Sequence, residues 1–279
     1  MRPIMIPRKI YDVVQSTLLF KEKVSLIKQR YGKLRKSGSP DISVVIPAYN
    51  EEKNILATLQ SLVLNQTTRK VEIIVVNNNS ADNTAGLVLS TGVDCITETK
   101  QGITAARNTG LKAATGKYIL NADADAIYPP DWIDQMIEPL DKNENVSLTY
   151  GRFSFIPIGK TGRLLYFFYE YAADLIRYYN RFYKEEAVNV YGFNSGFRRT
   201  EGVAVNGFDH PIGANEDGYL ALKLKNNGYG KLHYVTSTKA LVWTSDRRLQ
   251  VEGGFVKGVS KRVKKILFPA SFVQVRTDL

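Results

Sequence analysis

Two aspartates separated by one residue, Asp123 and Asp125, follow an apolar segment that begins at Tyr118. Alternate side chains of an extended chain point to the same side, so both carboxylates can face one point beyond the strand. Carboxylate oxygens are suitable ligands for Mg²⁺ or Mn²⁺, and these ions bind diphosphates. A polar turn without a ligand is the alternative interpretation, because such triplets are common. The pattern predicts a divalent-metal site if neighbouring elements bring further polar groups to the same place.

The segments around this pair alternate between short apolar runs and helical periodicity. Buried strands are predicted at residues 42–46, 71–76, 94–97 and 118–120, with helices at 51–64 and 102–114 and a helix that reaches residue 89. This alternation indicates an α/β fold, with a mostly parallel sheet flanked by helices. The loops after Ile46, Val76 and Leu120 follow strands at one edge of that sheet, where ligands of such folds bind. Three polar loops are therefore expected to converge.

The distribution of charge limits the class of protein. The net charge of +11 is made up of +8 from residues 1–40, −3 from residues 41–246 and +6 from residues 247–279. An acidic centre argues against nucleic-acid binding, and the basic ends predict contact with an anionic membrane surface. The single cysteine excludes an intrachain disulfide and indicates a reducing compartment. Since no apolar run is long enough for a membrane span, we expect a cytoplasmic protein, peripheral on the inner face of the cell membrane.

Three regions are predicted along the chain. Residues 1–39 form a basic amphipathic extension with one helix at residues 10–34, residues 40–250 form the globular domain, and residues 251–279 form a basic amphipathic tail. The apolar stripe of the N-terminal helix can lie on an anionic bilayer or pack on the core of the domain. Both interpretations remain open.

The globular region resembles glycosyltransferase family 2, whose members have the Rossmann-like GT-A fold. The resemblance covers roughly residues 41–250 and rests on the segments SVVIPAYNEEKNI, EIIVVNNNSADNT, KQGITAARNTGLKAATGKYILNADAD and GANEDGYLALKLKNNGY, in the order and spacing of the family. It implies a nucleotide-binding half at residues 40–140 and an acceptor half at residues 141–250.

On the donor side, the resemblance implies that two strand-end loops, a GxxxARN segment and the DxD triplet contact a nucleotide sugar. The corresponding residues are Pro47, Ala48, Tyr49, Glu51, Asn77, Asn78, Gly102, Arg107, Asp123, Ala124 and Asp125. Asp123 and Asp125 are expected to hold Mn²⁺ or Mg²⁺. Asn77 stands where the family usually has an aspartate that accepts the N3–H of uracil, and it offers a carbonyl without a charge. The donor base therefore stays open between a UDP-sugar and a GDP-sugar.

On the acceptor side, the resemblance implies that Asp217 of the Glu216-Asp217 motif is the general base. Asp217 opens a helix predicted at residues 217–227. The partial positive charge of a helix N-terminus favours the ionised carboxylate, which can then accept a proton. The resemblance also assigns Asn194, Ser195 and Glu216 to the acceptor side.

The family often places a histidine metal ligand after the last strand, and this chain has none at that position. The segment Trp243–Arg248 stands there instead. Its arginines, Arg247 and Arg248, are candidates to clamp the diphosphate by bidentate contacts. Opening the basic tail is the alternative role for both.

Residues 166–191 carry 10 of the 30 aromatic residues of the chain, at helical spacing. Single strands are predicted on either side of this helix, at residues 146–155 and within residues 231–243. The aromatic face can pack on the sheet, or it can contact an acceptor or a lipid surface, because a tyrosine ring is apolar and its tip is polar. Both interpretations remain open.

Together these expectations describe an inverting, metal-dependent glycosyltransferase. It would move a sugar from a nucleotide donor to a hydroxyl of a glycan or lipid-linked acceptor, in the synthesis of cell-envelope polysaccharide or glycolipid. A catalytically silent, membrane-associated nucleotide-sugar-binding protein is one alternative. A nucleotidyltransferase is another, but it would need a Gly-rich, cationic loop after the first strand, and the sequence PAYNEE has no such loop.

Overall fold

The computed structural model describes residues 1–251, 253–255, 257 and 260. Its strands are β1 (Ile42–Ala48), β2 (Val71–Asn77), β3 (Asp94–Thr97), β4 (Tyr118–Asn121), β5 (Ala126–Ile127), β6 (Val146–Tyr150), β7 (Phe153–Ile156), β8 (Ser195–Arg198), β9 (Lys231–Tyr234) and β10 (Val242–Ser245). Its helices are α1 (Arg8–Val14), α2 (Phe20–Arg35), α3 (Ile55–Val63), α4 (Thr84–Ser90), α5 (Ile103–Ala113), α6 (Trp132–Lys142), α7 (Arg163–Tyr183), α8 (Arg199–Ala204), α9 (Glu216–Asn226) and α10 (Arg247–Val251).

The main sheet has seven strands in the order β3-β2-β1-β4-β8-β6-β9. The four strands from β3 to β4 are parallel, β8 is antiparallel to both of its neighbours, and β9 is parallel to β6. Ala48 pairs with Asn77, and Val45 pairs with Asn121, so β1, β2 and β4 end at the same edge. The predicted α/β fold with a mostly parallel sheet is confirmed. A smaller sheet has the order β5-β10-β7.

The two faces of the main sheet are covered by different sets of helices. Val44 and Ile46 of β1 pack with residues of α2, α3 and α6, whereas Val45 packs with residues of α5 and α9. Alternate residues of a strand point to opposite faces, so a strand covered on both faces is apolar throughout. Burying each large aliphatic side chain stabilises the fold by about 1.5–3 kcal/mol. The continuous apolar sequence of β1 follows from this double coverage.

The single N-terminal helix predicted at residues 10–34 is wrong, because two helices, α1 and α2, replace it. Ile10 of α1 packs with residues of β10, whereas Ile27 and Tyr31 of α2 pack on the main sheet. The Tyr31 hydroxyl lies 3.1 Å from the amide nitrogen and 3.4 Å from the carbonyl oxygen of Ile73 in β2. The break between the helices lets each half reach a different part of the core. The apolar stripe of the extension therefore packs on the domain.

The two strands predicted next to the aromatic helix are each divided between the sheets. Residues 146–155 supply β6 to the main sheet and β7 to the small one, and residues 231–243 similarly supply β9 and the start of β10. At the first break, the Gly151 amide donates to the Asn194 carbonyl, 2.9 Å away, and this loop contact ends the β6 ladder. The aromatic helix is α7, which ends at Tyr183 before a short 3₁₀ turn. The predicted tail, residues 251–279, lies almost entirely outside the described residues.

Candidate active site

The loops after β1 and β2 are fastened to each other at the polar edge of the sheet. Asn50 has a positive φ of 53° and accepts a 2.8 Å hydrogen bond at Oδ1 from the Ala81 amide. Its own amide donates to the Ser80 hydroxyl at 3.0 Å, and the Glu51 amide donates to the Thr84 hydroxyl at 2.9 Å. These reciprocal bonds hold the two predicted donor loops as one unit.

Pro47 and Ala48, both assigned to the donor, are the last residues of β1. Both are buried, and Tyr49 in the loop that follows is partly buried. Pro47 and Ala48 therefore lie beneath the polar edge of the sheet, and Tyr49 is the first of the three to reach the surface.

Asn78 connects three elements at this edge. Its amide donates to the Ala48 carbonyl at 2.8 Å, and its Nδ2 donates to the Lys100 carbonyl at 2.8 Å. Its Oδ1 accepts from the Gly102 amide at 2.8 Å. Gly102 has a φ of 132°, a backbone conformation that other residues rarely adopt. Asn78 and Gly102 thus fix where α5 begins relative to the donor loops.

Asn77 is the last residue of β2, and its side chain presents an unpaired acceptor. The Oδ1 atom is buried and has no hydrogen-bond partner among the residues that the structure describes. A buried carbonyl oxygen without a partner costs about 1–3 kcal/mol, so such an atom needs an explanation. A ligand N–H at this position would satisfy it.

Hydrogen bonds to other segments fix the turn that carries the two aspartates. The Asp123 amide donates to the Tyr128 hydroxyl at 2.9 Å, and this hydroxyl donates to the Phe193 carbonyl at 3.1 Å. The Thr58 hydroxyl of α3 donates to the Ala124 carbonyl at 2.9 Å. Ala124 is buried between the two partly exposed aspartates. Sequence reasoning missed Tyr128 and Thr58, because Thr58 is 66 residues away in the chain and the contact of the Tyr128 hydroxyl with the turn depends on how the chain folds back after Asp125.

Arg107 on α5 lies between two carboxylates. Its Nη2 is 3.1 Å from Asp123 Oδ1, and its Nε is 3.2 Å from Asp217 Oδ1. The guanidinium is buried and lies 5.7 Å from the centre of the Phe208 ring. A Cβ atom at Gly192 would collide with both Arg107 and Asp217, so this pair requires the close approach of a glycine backbone. Arg107 therefore links the DxD turn to the predicted base.

Asp217 occupies the first turn of α9, as predicted. Asn215 caps this helix, since its Oδ1 accepts hydrogen bonds from the amides of Asp217 at 3.1 Å and Gly218 at 2.9 Å. Burial raises the pKa of Asp217 to about 7; Arg107 opposes this rise, and the charges of Glu216 and Asp123 add to it. The position of Asp217 at a helix N-terminus by itself predicts an ionised carboxylate. Desolvation outweighs that effect and leaves a carboxyl group that exchanges its proton near neutral pH.

Glu51 and Asp125 are joined by Arg247. Its Nη2 lies 2.6 Å from Glu51 Oε1 and 3.0 Å from Asp125 Oδ2. Asp246, which is fully buried, accepts from the Tyr166 hydroxyl at 2.6 Å and so anchors the start of α10. Sequence reasoning singled out Arg247 but missed Asp246, whose role depends on a contact with α7.

The two aspartates of the turn fit a divalent ion. Their side chains are 23% and 13% exposed, for Asp123 and Asp125 respectively. Burial raises the pKa of Asp123, the charges of Arg107 and Arg248 lower it, and that of Asp125 raises it further. In the described part of the chain, no group of three His, Cys, Asp or Glu residues could hold a metal ion. Two carboxylates suit Mg²⁺ or Mn²⁺ when a diphosphate and water complete the coordination shell.

The acceptor-side assignment needs correction for Asn194 and Ser195. Asn194 Oδ1 accepts from the Trp132 indole N–H at 2.8 Å, and its Nδ2 donates to the Arg152 carbonyl at 2.8 Å. The Ser195 hydroxyl accepts from Asn121 Nδ2 at 3.0 Å. Both side chains are buried and bonded within the protein, so they position β8 and do not face an acceptor. Glu216 is buried beside Asp217.

A model of the family described as Glycosyl transferase family 2 matches residues 43–201. Among curated proteins, the chain is 36% identical over 119 residues to UDP-Glc:alpha-D-GlcNAc-diphosphoundecaprenol beta-1,3-glucosyltransferase WfgD of Escherichia coli. It is 32% identical over 128 residues to the putative glycosyltransferase EpsH of Bacillus subtilis. These matches cover 41% and 44% of this chain, and 46% and 37% of the relatives. The chain therefore matches less than half the length of either relative.

Two solved structures show the same fold. One is a mannosyltransferase from Pyrobaculum calidifontis in complex with GDP-Man and Mn²⁺, with a TM-score of 0.54, 20% identity, and coverage of 91% of this chain and 76% of that one. The other is glucosyl-3-phosphoglycerate synthase from Mycobacterium tuberculosis in complex with Mn²⁺, UDP-glucose and phosphoglyceric acid, with a TM-score of 0.53, 20% identity, and coverage of 90% and 84%. At this level of identity the likeness extends to the fold alone.

Proposed function

Because this chain belongs to glycosyltransferase family 2, we propose that it transfers a sugar from a nucleoside-diphosphate donor to an acceptor hydroxyl, with inversion at the anomeric carbon. The contact that carries this proposal is the Arg107 guanidinium, which lies 3.1 Å from Asp123 and 3.2 Å from Asp217. One buried cation thus joins the donor turn to the candidate base. The aspartate proposed for the donor side and the one proposed as base therefore contact the same side chain.

At the donor end, Asp123 and Asp125 would hold Mn²⁺ or Mg²⁺. A divalent ion there would neutralise the leaving nucleoside diphosphate as a Lewis acid. Arg247 and Arg248 begin α10 beside this turn and would bind diphosphate oxygens. The unpaired Asn77 Oδ1 supports recognition of an N–H on the donor base, and the loop at Tyr49 would cover the nucleotide.

At the acceptor end, Asp217 would take the proton of the attacking hydroxyl. Its pKa of about 7 suits a general base, because roughly half of the group is ionised at neutral pH and the carboxylate binds a proton well. Arg107 would hold the carboxylate in place and stabilise its charge. Attack from the side opposite the leaving group gives inversion in a single displacement.

We propose a lipid-linked or membrane-proximal glycan as the acceptor, in cell-envelope synthesis. The support comes from the relative in E. coli, whose printed name specifies a diphosphoundecaprenol-linked sugar. The basic ends of the chain agree with an anionic membrane surface nearby, on the cytoplasmic side.

A catalytically silent nucleotide-sugar-binding protein is the second candidate, motivated by Asn77 and by the segment that replaces the expected histidine. The Arg107–Asp217 pair argues against it. Burying charged groups costs several kcal/mol each, and this pair lies at the acceptor end, where a donor-binding protein has no use for it. A nucleotidyltransferase is less compatible with the family and with the loop after β1.

The test is the release of nucleoside diphosphate from UDP-glucose and GDP-mannose in the presence of Mn²⁺, with water as acceptor. Asp217→Asn should lower the rate by about 10²–10⁴-fold, since it removes the base. Asp141→Asn on α6 is the matched control, because this aspartate pairs with Arg69 and with the Tyr118 hydroxyl, at the opposite end of β4 from the aspartate turn, and its loss should leave the rate unchanged. Proton NMR of the first sugar released should show inverted configuration. If neither donor is cleaved, or if Asp217→Asn retains the full rate, the proposal fails.

A further inference from the structure

Among the described residues the longest helix is α7, and its polar and apolar faces are reversed relative to an ordinary surface helix. Its outer stripe consists of apolar or aromatic residues spaced by three or four positions, all exposed: Leu164, Phe168, Tyr171, Leu175, Tyr179 and Phe182. Leu175 is 72% exposed. A helix on a soluble domain normally buries such a stripe. A contiguous exposed apolar surface of this kind indicates an interaction site.

The inner face of α7 contains its carboxylates. Glu170 is paired with Arg2 at 3.3 Å and with Arg163 at 2.8 Å. Asp174 is paired with Arg2 at 2.6 Å and with Arg177 at 2.7 Å. Both acids of the helix are therefore turned into the protein and neutralised by arginines. The outer face is left without a negative charge.

Exposed cations stand at both ends of this face. Lys160 precedes α7, and Arg181 and Lys184 lie at its C-terminal end. The Lys184 ammonium is 5.6 Å from the centre of the Tyr179 ring. An apolar stripe with tyrosines among its aliphatic residues and lysine or arginine at its ends is the pattern of a helix that lies in the plane of an anionic bilayer.

The N-terminal segment extends the same surface. The Arg2 amide donates to the Tyr171 hydroxyl at 3.2 Å, so the first residues run along α7. Met1, Ile4 and Met5 are exposed beside this contact. In the part of the chain that the structure describes, no helix is long and apolar enough to cross a bilayer. The surface therefore has the chemistry of an interfacial contact.

We propose that the outer face of α7, together with residues 1–5, is the surface by which this protein docks on an anionic lipid bilayer. A second copy of the chain is the competing occupant. The charge argues for lipid, because two identical faces would bring their cations together, while the neighbouring acids Glu185 and Glu186 are already paired with Lys225 and Arg181 within each copy. This assignment differs from docking through the apolar stripes of α1 and α2, since the stripes of both helices are buried in the core.

Docking through α7 would bring Asp217, the candidate base, close to the membrane. Asn189, in the 3₁₀ turn after α7, donates from Nδ2 to the Arg177 carbonyl at 2.9 Å and accepts at Oδ1 from Asn180 at 3.0 Å. The same segment continues to Gly192, whose backbone lies against Asp217. A surface helix and the candidate base are thus connected by a short, hydrogen-bonded segment.

The experiment is flotation of the full chain with vesicles of phosphatidylcholine and with vesicles of phosphatidylcholine and phosphatidylglycerol. The double variant Phe168→Glu/Leu175→Glu places two carboxylates in the middle of the face. The control, Leu89→Glu/Val203→Glu, makes the same change at two exposed apolar residues of α4 and α8. Circular dichroism melting checks that both variants fold.

We expect the wild type and the control to bind the phosphatidylglycerol vesicles in preference to the neutral ones. The α7 variant should lower the bound-to-free ratio about tenfold or more, because two large apolar side chains no longer enter the bilayer. Unchanged binding by the α7 variant, equal binding to both vesicles, or no binding by the wild type would each overturn the proposal. A wild-type dimer that becomes a monomer in the α7 variant, without vesicle binding, would assign the face to self-association. Because the assay contains no donor, its failure leaves the transferase proposal unaffected.

Discussion

Arg107 is the residue on which the candidate chemistry depends most. It is buried with two carboxylates, Asp123 and Asp217, and all three side chains contribute to each other's ionisation. The burial that raises the pKa of Asp217 would leave this carboxyl protonated at neutral pH, and unable to accept a proton, if no cation stood beside it. Arg107 limits that rise by favouring the ionised form. The residue thus contacts both the candidate base and the aspartate turn.

A pH profile tests this role. We expect kcat/KM for Mn²⁺-dependent donor cleavage to rise with pH and level off above about pH 7, because Asp217 accepts a proton only when ionised. Arg107→Gln removes the cation that lowers the pKa of Asp217, so the inflection should move to higher pH. Arg107→Lys keeps a positive charge and should place the inflection between those of the wild type and Arg107→Gln. An inflection at the same pH in all three proteins would contradict the role.

At the scale of elements, the buried face of α7 carries two acids, and arginines neutralise them. Its two acids meet arginines from several separate segments, including Arg2 from the N-terminus and Arg152 from the turn between β6 and β7. Arg2 has no exposed side-chain surface and also donates to the Phe153 carbonyl at 2.6 Å. Partners from outside the helix therefore determine which of its faces is buried. Removing one partner from such a network leaves an uncompensated buried charge.

Arg2→Met should accordingly lower the free energy of unfolding by roughly 3 kcal/mol, because Glu170 and Asp174 lose a buried cation. Urea denaturation monitored by circular dichroism measures this change. Arg35→Met is the matched control, since Arg35 pairs with Asp94 at the surface, where ion pairs contribute about 0–1 kcal/mol. Equal effects of the two substitutions would show that the Arg2 network does not stabilise α7.

At the scale of the whole molecule, the N-terminal region is continuous with the core. Ile27, Tyr31 and Leu34 of α2 are buried against the main sheet, and α1 packs against the small one. Apart from the half-buried Lys23, the cationic residues of these helices remain exposed, while their apolar residues stabilise the domain. Basic residues near a chain end therefore do not by themselves indicate a detachable membrane anchor.

Deletion of residues 1–36 should destabilise the domain itself. Exposing the sites that Ile27, Tyr31 and Leu34 cover costs roughly 5 kcal/mol in buried apolar area, so we expect a clearly lower melting temperature or insoluble protein. The double substitution Lys28→Glu/Arg30→Glu changes the charge of α2 at exposed positions and should leave the melting temperature nearly unchanged. Thermal melting of the three proteins is the measurement. An intact melting temperature after the deletion would mean that α2 is dispensable for folding.

Sequence patterns were sufficient for the parallel strands and their loops. Apolar runs bounded by polar turns depend on neighbours in sequence, so β1, β2 and β4 were predicted within two residues of their ends. The patterns were insufficient where one apolar run serves two sheets, as at Gly151, because alternation continues across the break. They were also insufficient for Asn194, since a buried, fully bonded amide and a ligand-binding amide look alike in a sequence.

The sequence by itself determined that Asp123 and Asp125 follow a buried strand and that Asp217 lies in the first turn of a helix. These are properties of local spacing and of residue type, and they do not depend on a partner. Only the tertiary structure decided that Arg107 joins Asp123 to Asp217 and that burial raises the pKa of the base. The tertiary structure also decided which face of α7 is exposed. Such features depend on contacts between residues far apart in the chain, and desolvation exists only once those residues have packed together.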